Sequence, residues 1–192
     1  MVRSYGKADM LLRSPKAHTD VIAFAAPDSL VNVVNSARIP PSTIAPGERG
    51  PDAKLQRIGT GEERRLLGVL RNDGRFSMVV FTGKTYLTGP SLSALSKALG
   101  ASILTSSTRV RSVLTMTTII LGETTGAAEV MGCDPFGTAH LDTTRQAHDA
   151  FGIDDARGAV LLFRPDGYLA MAMDMATAAG DLSEYFARLL RV

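Results

Sequence analysis

Residues 161–171, with the sequence LLFRPDGYLAM, constrain the fold more than any other stretch of this chain. Two apolar runs flank the tripeptide Pro-Asp-Gly at 165–167, which meets the needs of a tight turn. Proline presets φ at the first corner, the Asp side chain bonds to nearby backbone, and glycine takes positive φ without a Cβ clash. The pattern therefore predicts a β-hairpin of two buried strands. Arg164 and Tyr168 flank the turn, where a structural role and a reactive role are both open to them.

Strand-like and helix-like segments alternate from Gly59 to the end of the chain. The strand-like segments are rich in β-branched or apolar residues: RFSMVVFTG, VRSVLTMTTIILG, GAVLLF and GYLAMAM. The helix-like segments carry apolar stripes: TGEERRLLGVL, SLSALSKALG, TTRQAHDAFG and DLSEYFARLL. Thr60, Ser91, Thr143 and Asp181 are their predicted N-caps. The predicted order is helix, strand, helix, strand, helix, strand, strand, helix.

That order predicts an α/β fold with a mixed sheet flanked by helices, and a thioredoxin-like arrangement satisfies it. Right-handed crossovers make the first strands parallel and leave the hairpin antiparallel at the far side. The chain before this region differs, because Ile39–Leu55 holds four prolines and two glycines, which favour extended surface structure. We therefore expect an extended N-terminal arm with a Pro/Gly-rich connecting segment over residues 1–58, followed by a thioredoxin-like domain over residues 59–192.

Length, charge and cysteine content narrow the class of protein. The 192 residues suffice for one domain with a sizeable core. The net charge of +2 and the scattered Lys and Arg residues argue against a nucleic-acid surface. The apolar run at 21–26 is too short and too late for a signal peptide, and none approaches the roughly 20 residues that span a bilayer. Cys133 is the single cysteine, which excludes an intramolecular disulfide. We expect a cytoplasmic protein without membrane or nucleic-acid partners.

Two stretches carry a resemblance to a known family. GIDDARGAVLLFRPDGYLAMAM, at 152–173, resembles the C-terminal part of flavin-dependent aromatic hydroxylases of the phenol 2-monooxygenase type. APGERGPDAKL, at 45–55, is similar to the Pro-Gly-x-Arg-x-Pro start of the C-terminal domain in that family. Looser similarity extends through GRFSMVVFTG and HLDTTRQAHDAFGI and back to YGKADML. The resemblance implies a thioredoxin-like domain that in the family follows an FAD domain and is called the dimerisation domain.

The cofactor motifs of that family are missing from this sequence. FAD chemistry needs a G-x-G-x-x-G turn after a strand, where backbone amides meet the pyrophosphate. The nearest string here, GTGEER, has Arg64 at the third glycine position and no preceding strand. The two cysteines of the related thioredoxins are also absent. We therefore expect no cofactor, and we do not transfer hydroxylase activity to this chain.

Two functional hypotheses follow. The first is a stand-alone assembly or accessory module for aromatic-compound metabolism, which forms a homodimer or complements a separate flavoprotein. The second is a cofactor-independent cyclase, isomerase or hydrolase acting on an aromatic or polyketide-like metabolite. Its candidate catalytic residues, in falling order, are His140, Asp142, His148, Tyr168 and Arg164. A His–Asp pair suits general base catalysis, because imidazole titrates near neutrality and a carboxylate fixes its tautomer. Metal-ligand spacing is absent, so no metal is expected.

Overall fold

A computed structural model describes residues 41–70, 73–123 and 127–190. The strands are β1 (Lys54–Arg57), β2 (Glu63–Arg65), β3 (Phe76–Phe81), β4 (Leu114–Leu121), β5 (Thr138–Asp142), β6 (Ala159–Phe163) and β7 (Leu169–Met173). The helices are α1 (Leu66–Val69), α2 (Thr85–Gly100), α3 (Ile103–Ser106), α4 (Thr108–Val113), α5 (Ala127–Met131), α6 (Gln146–Phe151) and α7 (Ala178–Leu190). Within these described ranges, no helix has both the length and the apolar character needed to cross a membrane.

The strands form one mixed sheet in the order β2-β1-β5-β4-β3-β6-β7. β3 pairs in parallel with β4, and β4 pairs in parallel with β5. β6 pairs antiparallel with β3, and β7 pairs antiparallel with β6 at the edge of the sheet. This confirms the predicted mixed sheet, in which the first two predicted strands, β3 and β4, are parallel and the hairpin is antiparallel at the far side. The sequence did not predict β1 and β2, which pair antiparallel with each other.

The sheet separates two apolar cores, one on each face. Along β3, Met78 and Val80 join the core under α2, α3, α4, α5 and α7. The alternate residues Val79 and Phe81 join the core under α1, α6 and the segment before β1. Because successive side chains of a strand point to opposite faces, a strand covered on both faces must be a continuous apolar run. This requirement explains FSMVVF in β3 and AVLLF in β6.

The predicted hairpin is confirmed and its turn has the expected geometry. The Gly167 N–H donates to the Arg164 carbonyl at 2.9 Å, and the Arg164 N–H donates to the Tyr168 carbonyl at 2.8 Å. Gly167 has a φ of 82°, the left-handed region that glycine tolerates best. The Tyr168 N–H donates to Asp166 Oδ1 at 3.3 Å, so the Asp side chain stabilises the turn.

The prediction of one helix across TGEERRLLGVL is wrong for its first half. Glu63–Arg65 forms β2 against β1, and only Leu66–Val69 is helical. Gly59 and Gly61 have φ values of 85° and 66°, which reverse the chain between the two strands. The Thr60 hydroxyl accepts the Glu62 N–H at 3.4 Å, so it stabilises this turn rather than capping a helix.

Two long helices begin earlier than their predicted caps. α2 starts at Thr85 rather than Ser91 and runs through Pro90. Proline inside a helix removes one backbone hydrogen bond, which made the upstream segment look non-helical in the sequence. Burial of the residues along the inner face of α2 offsets that loss. α7 starts at Ala178, so Asp181 lies inside its first turn, where a carboxylate is favourable but is not the cap.

Two further boundaries also differ from the prediction. VRSVLTMTTIILG begins as helix α4 and becomes strand only at Leu114. The N-cap of α6 is Arg145 instead of Thr143, and Arg145 has a φ of 63°. The predicted end of α6 at Gly152 is confirmed, because this C-cap glycine also has a φ of 63°.

Part of the predicted arm lies within the described residues and packs on the domain. The Thr43 N–H donates to the Phe151 carbonyl at 3.0 Å, and the Gly47 N–H donates to the Leu169 carbonyl at 2.7 Å. β1 then joins the sheet before residue 58. Residues 1–40, which hold the rest of the predicted arm, lie outside the described residues. The domain boundary between residues 58 and 59 stays a prediction.

Candidate functional site

A fully buried pair, His148 and Asp142, links β5, α6 and the turn that follows β3. His148 Nδ1 lies 2.8 Å from Asp142 Oδ2, and the His148 backbone N–H donates to the same oxygen at 2.8 Å. The Gly83 N–H donates to His148 Nε2 at 3.3 Å. Since Nε2 accepts a hydrogen bond, these contacts assign the Nδ1–H tautomer. Both ring nitrogens are therefore bound by protein groups.

The local chain geometry produces this bridge. Asp142 is the last residue of β5 and pairs with Leu121 of β4. A short turn brings α6 back over that strand end, which places His148 beside Asp142. Gly83 has a φ of 61°, and a Cβ there would lie 2.5 Å from the Asp155 carbonyl oxygen. Only glycine fits this close approach, and it leaves the Gly83 N–H pointing at the imidazole.

Electrostatics favour the ionised form of Asp142. Burial raises its pKa, but hydrogen bonds from the His148 side chain and backbone outweigh burial and hold the pKa below its ordinary value. Asp142 Oδ1 has no hydrogen-bond partner among the described residues. The His148 ring packs edge-on against Phe81, with ring centroids 5.2 Å apart. The bridge is thus a fully buried carboxylate–imidazole pair with an aromatic ring against the imidazole.

A shell of exposed ion pairs surrounds the same junction. Lys84 Nζ lies 3.0 Å from Asp155 Oδ2. Arg145 pairs with Asp155 and, at 2.6 Å, with Asp149. The hydrogen bonds that Arg145 donates to these carboxylates raise its pKa, and the hydrogen bond to Asp155 raises the pKa of Lys84. Partly exposed pairs contribute little to stability singly, so we assign this shell a role in fixing the loop geometry.

His140 lies near the bridge but is not bonded to it. It is two residues before Asp142 in β5, so both side chains point to one face of the sheet. His140 is only 7% exposed, and its Nδ1 has no hydrogen-bond partner in the described part of the chain. Burial, followed by the charges of Arg57 and Arg64, lowers its pKa. These effects favour the uncharged imidazole.

The other two candidates, Arg164 and Tyr168, lie elsewhere. They flank the hairpin turn next to Phe163, which pairs with Ser77 at the start of β3, whereas Asp142 pairs with the end of β4. The two groups therefore occupy opposite ends of the sheet, with β4 and β3 between their strands. Arg164 forms an ion pair with Asp166, and its guanidinium lies 5.6 Å from the centre of the Tyr168 ring.

The structure therefore brings together Asp142 and His148, keeps His140 on the same strand, and separates Arg164 and Tyr168 from them. Sequence reasoning missed Gly83, the third member of the bridge. Its only signal was its position in TGKT directly after a strand, where a glycine marks a sharp turn. Catalytic roles for the five candidates stay predictions.

Cysteine and metal chemistry find little support in the described residues. Cys133 is half-buried, and burial followed by the Asp134 charge raises the pKa of its thiol. A raised pKa leaves less of the nucleophilic thiolate at neutral pH. Within residues 41–70, 73–123 and 127–190, no group of three or more His, Cys, Asp or Glu side chains is arranged to hold a metal ion.

Solved structures define the class of this fold. A protein assigned as the thiol:disulfide interchange protein DsbE of Chlorobium tepidum superposes with a TM-score of 0.56 and 15% identity, covering 77% of this chain and 99% of its own. The flavin-dependent monooxygenase PieE, in complex with FAD and substrate, superposes with a TM-score of 0.50 and 19% identity. That match covers 84% of this chain and 24% of PieE. The chain is a thioredoxin-like α/β domain, as the sequence predicted.

The sequence comparisons then give the family. Residues 25–192 match the family described as phenol hydroxylase, C-terminal dimerisation domain, and the chain belongs to it. The FAD-dependent monooxygenase terD of Aspergillus terreus is 23% identical over 222 residues, which cover 100% of this chain. The chain spans 36% of the length of that relative. These matches confirm the predicted family resemblance and identify an accessory or dimerisation domain.

Replacement of His148 tests the bridge. We expect His148→Ala to lower the free energy of unfolding by about 3 kcal/mol, because it leaves the Asp142 carboxylate buried without its partner. Urea denaturation followed by circular dichroism measures this change. The matched control is Asp149→Asn, which removes an exposed pair on the same helix and should change stability by less than about 1 kcal/mol. Equal effects of the two variants would contradict a structural bridge.

The lowered pKa of His140 predicts acid sensitivity. Below its ordinary pKa of about 6.5, the unfolded chain binds a proton that the folded chain resists. Stability from this group is therefore present above that pH and is lost as the pH falls through the lower folded-state pKa. For one proton the slope is at most about 1.4 kcal/mol per pH unit. Urea denaturation at a series of pH values from neutral downward measures it, and His140→Gln should have the shallower slope. Identical slopes for the parent chain and the His140→Gln variant would contradict a lowered pKa of His140.

Proposed function

We propose that this chain is an assembly module for FAD-dependent hydroxylation of aromatic compounds and that it works by forming a dimer. The observation that carries this proposal is the match of residues 25–192 to a dimerisation-domain family. The domain would set the arrangement of flavoprotein subunits and contribute no redox chemistry of its own. A separately encoded flavoprotein is the other partner that this role allows.

The internal site supports a structural role. The His148 imidazole has both ring nitrogens bound by Asp142 and Gly83, so neither is available to move a substrate proton. Dithiol chemistry requires two cysteines, and the sequence holds only Cys133. We therefore propose that this thioredoxin-like domain acts through contacts at its surface.

The link to aromatic metabolism rests on the relatives. The terD relative is by name an FAD-dependent monooxygenase, and PieE is a flavin-dependent monooxygenase that was solved with FAD and substrate. The family description adds phenol hydroxylase. These names support an accessory role in flavin-dependent hydroxylation of aromatic compounds.

Sedimentation velocity over a series of protein concentrations tests the proposal. We expect the full chain to sediment as a dimer at high concentration and to dissociate reversibly on dilution, because interfaces of this kind bind by mass action. A chain that stays monomeric at every concentration and captures no flavin monooxygenase would contradict an assembly role.

One observation favours a second candidate function, binding of an aromatic small molecule. His140 Nδ1 and Asp142 Oδ1 are buried, lack partners among the described residues, and lie on one face of β5. Buried polar atoms normally have a partner, so a hydroxyl that donates to Asp142 would satisfy one of them. This arrangement supports the cofactor-independent enzyme hypothesis.

Titration with phenol, followed by amide NMR shifts, tests this second candidate. We expect saturable shifts at His140 and Asp142 that toluene, which lacks the hydroxyl, does not reproduce. His140→Gln should weaken phenol binding by about tenfold, since it alters one wall of the site. The absence of saturable shifts at β5 would remove this function and leave the assembly proposal unaffected.

A further inference from the structure

The exposed side of α2 carries no charged residue in its first three turns, and Lys97 in the last turn is its one charged residue. From Thr85 to Ser96 the sequence TYLTGPSLSALS contains no Lys, Arg, Asp or Glu. Its solvent-exposed residues in this stretch are Tyr86, Leu87, Pro90, Ser91 and Ala94. A surface helix usually presents charged or polar residues opposite its buried stripe. The exposed side of α2 instead has the composition of a contact surface.

Helix α7 provides an internal contrast. It packs on the same apolar core as α2, and its exposed side carries Glu184 and Arg188, which form an ion pair one turn apart. The two helices share a fold layer and solvent exposure, so the fold itself does not require the first three turns of α2 to be uncharged. We attribute the difference to a contact that α2 makes and α7 does not.

The large apolar side chains exposed in the described residues cluster at α2. They are Tyr86 at 77% exposure, Leu87 at 48% and Val130 at 39%. Val130 belongs to α5, which packs beside α2: Ser93 Oγ donates to the Gly132 carbonyl at 3.2 Å. We name the combined surface of Tyr86, Leu87, Pro90, Ala94 and Val130 the α2 face. Single exposed apolar residues are ordinary, but a contiguous group marks an interaction site.

We propose that the α2 face binds the α2 face of a second copy of this chain. This inference rests on the proposed dimerisation function and names the surface that performs it. A second copy is the occupant that the charges favour, because the five residues of the α2 face bring no like charges together. The exposed Lys97 lies about one turn beyond Ala94, outside this face. Most homodimers use one self-complementary patch related by a two-fold axis, and an uncharged helix face meets that requirement.

The spacing along α2 also suits a two-fold contact. Tyr86, Pro90 and Ala94 recur every four residues, so they form one stripe along the helix. If two copies cross antiparallel at Pro90, the large Tyr86 of each copy packs over the small Ala94 of the other. Large-on-small packing fills space without voids. Antiparallel helices also align their dipoles favourably.

Addition of one carboxylate to the α2 face tests the proposal. Leu87→Glu lies in the first turn of α2, where a negative charge suits the helix dipole, so the fold is preserved. We expect it to raise the dimer dissociation constant at least about tenfold in sedimentation velocity. The matched control is Thr108→Glu, which adds the same charge to the exposed first turn of α4. It should change the constant by less than about twofold.

Cysteine cross-linking tests the two-fold geometry directly. In a Cys133→Ser background, Pro90→Cys places one thiol at the proposed axis, where the two copies of the residue meet. Mild oxidation should link Pro90→Cys into a covalent dimer much faster than Thr108→Cys, which serves as the exposed control. Equal rates for the two positions would overturn the proposed contact.

The outcomes separate the surface from the function. A parent chain that is monomeric at all concentrations and captures no flavin monooxygenase removes the proposed function, and this inference fails with it. A monomeric parent chain that does capture a flavin monooxygenase overturns the self-contact alone. A dimeric parent chain whose Leu87→Glu variant dimerises equally well overturns the α2 face alone. If Leu87→Glu keeps the dimer but loses capture of a flavin monooxygenase, the face belongs to that partner and the self-contact is also overturned.

Discussion

Burial of the central strands on both faces is the constraint on which the rest of this structure depends. β3 sends Met78 and Val80 into one core and Val79 and Phe81 into the other. A sheet of this kind must be covered by helices on both sides, since each face exposes apolar surface to water until it is packed. The chain meets this demand with α2 to α5 and α7 on one face, and with α1, α6 and the segment before β1 on the other.

The His148–Asp142 bridge follows from that layering. It joins the end of β5, the start of α6 and the turn into α2, which are the points where the chain passes between the sheet and its two helical layers. A buried carboxylate costs free energy unless it is paired and hydrogen-bonded. Here His148 supplies the pairing and Gly83 fixes the imidazole. His148 and Asp142, two of the candidate catalytic residues, thereby connect the sheet to the helices on both of its faces.

The same scaffold places the α2 face outward. The start of α2 is held by the buried bridge at Gly83 and by the partly exposed Lys84–Asp155 ion pair. These two contacts fix the backbone just before Tyr86 and Leu87. A rigid apolar surface binds a partner with little loss of conformational freedom. The contacts at the start of α2 therefore help to set the positions of the exposed residues that follow.

The sequence by itself determined the elements that depend only on residues close together in the chain. Pro165 to Gly167 favour a turn whatever lies around them, and the apolar runs on both sides favour burial. Tertiary structure decided what depends on distant partners: that α2 continues through Pro90, that Glu63–Arg65 pairs with β1 as a strand, and that Gly83 meets His148. Propensity is worth a few tenths of a kcal/mol per residue, and burial in a shared core outweighs it.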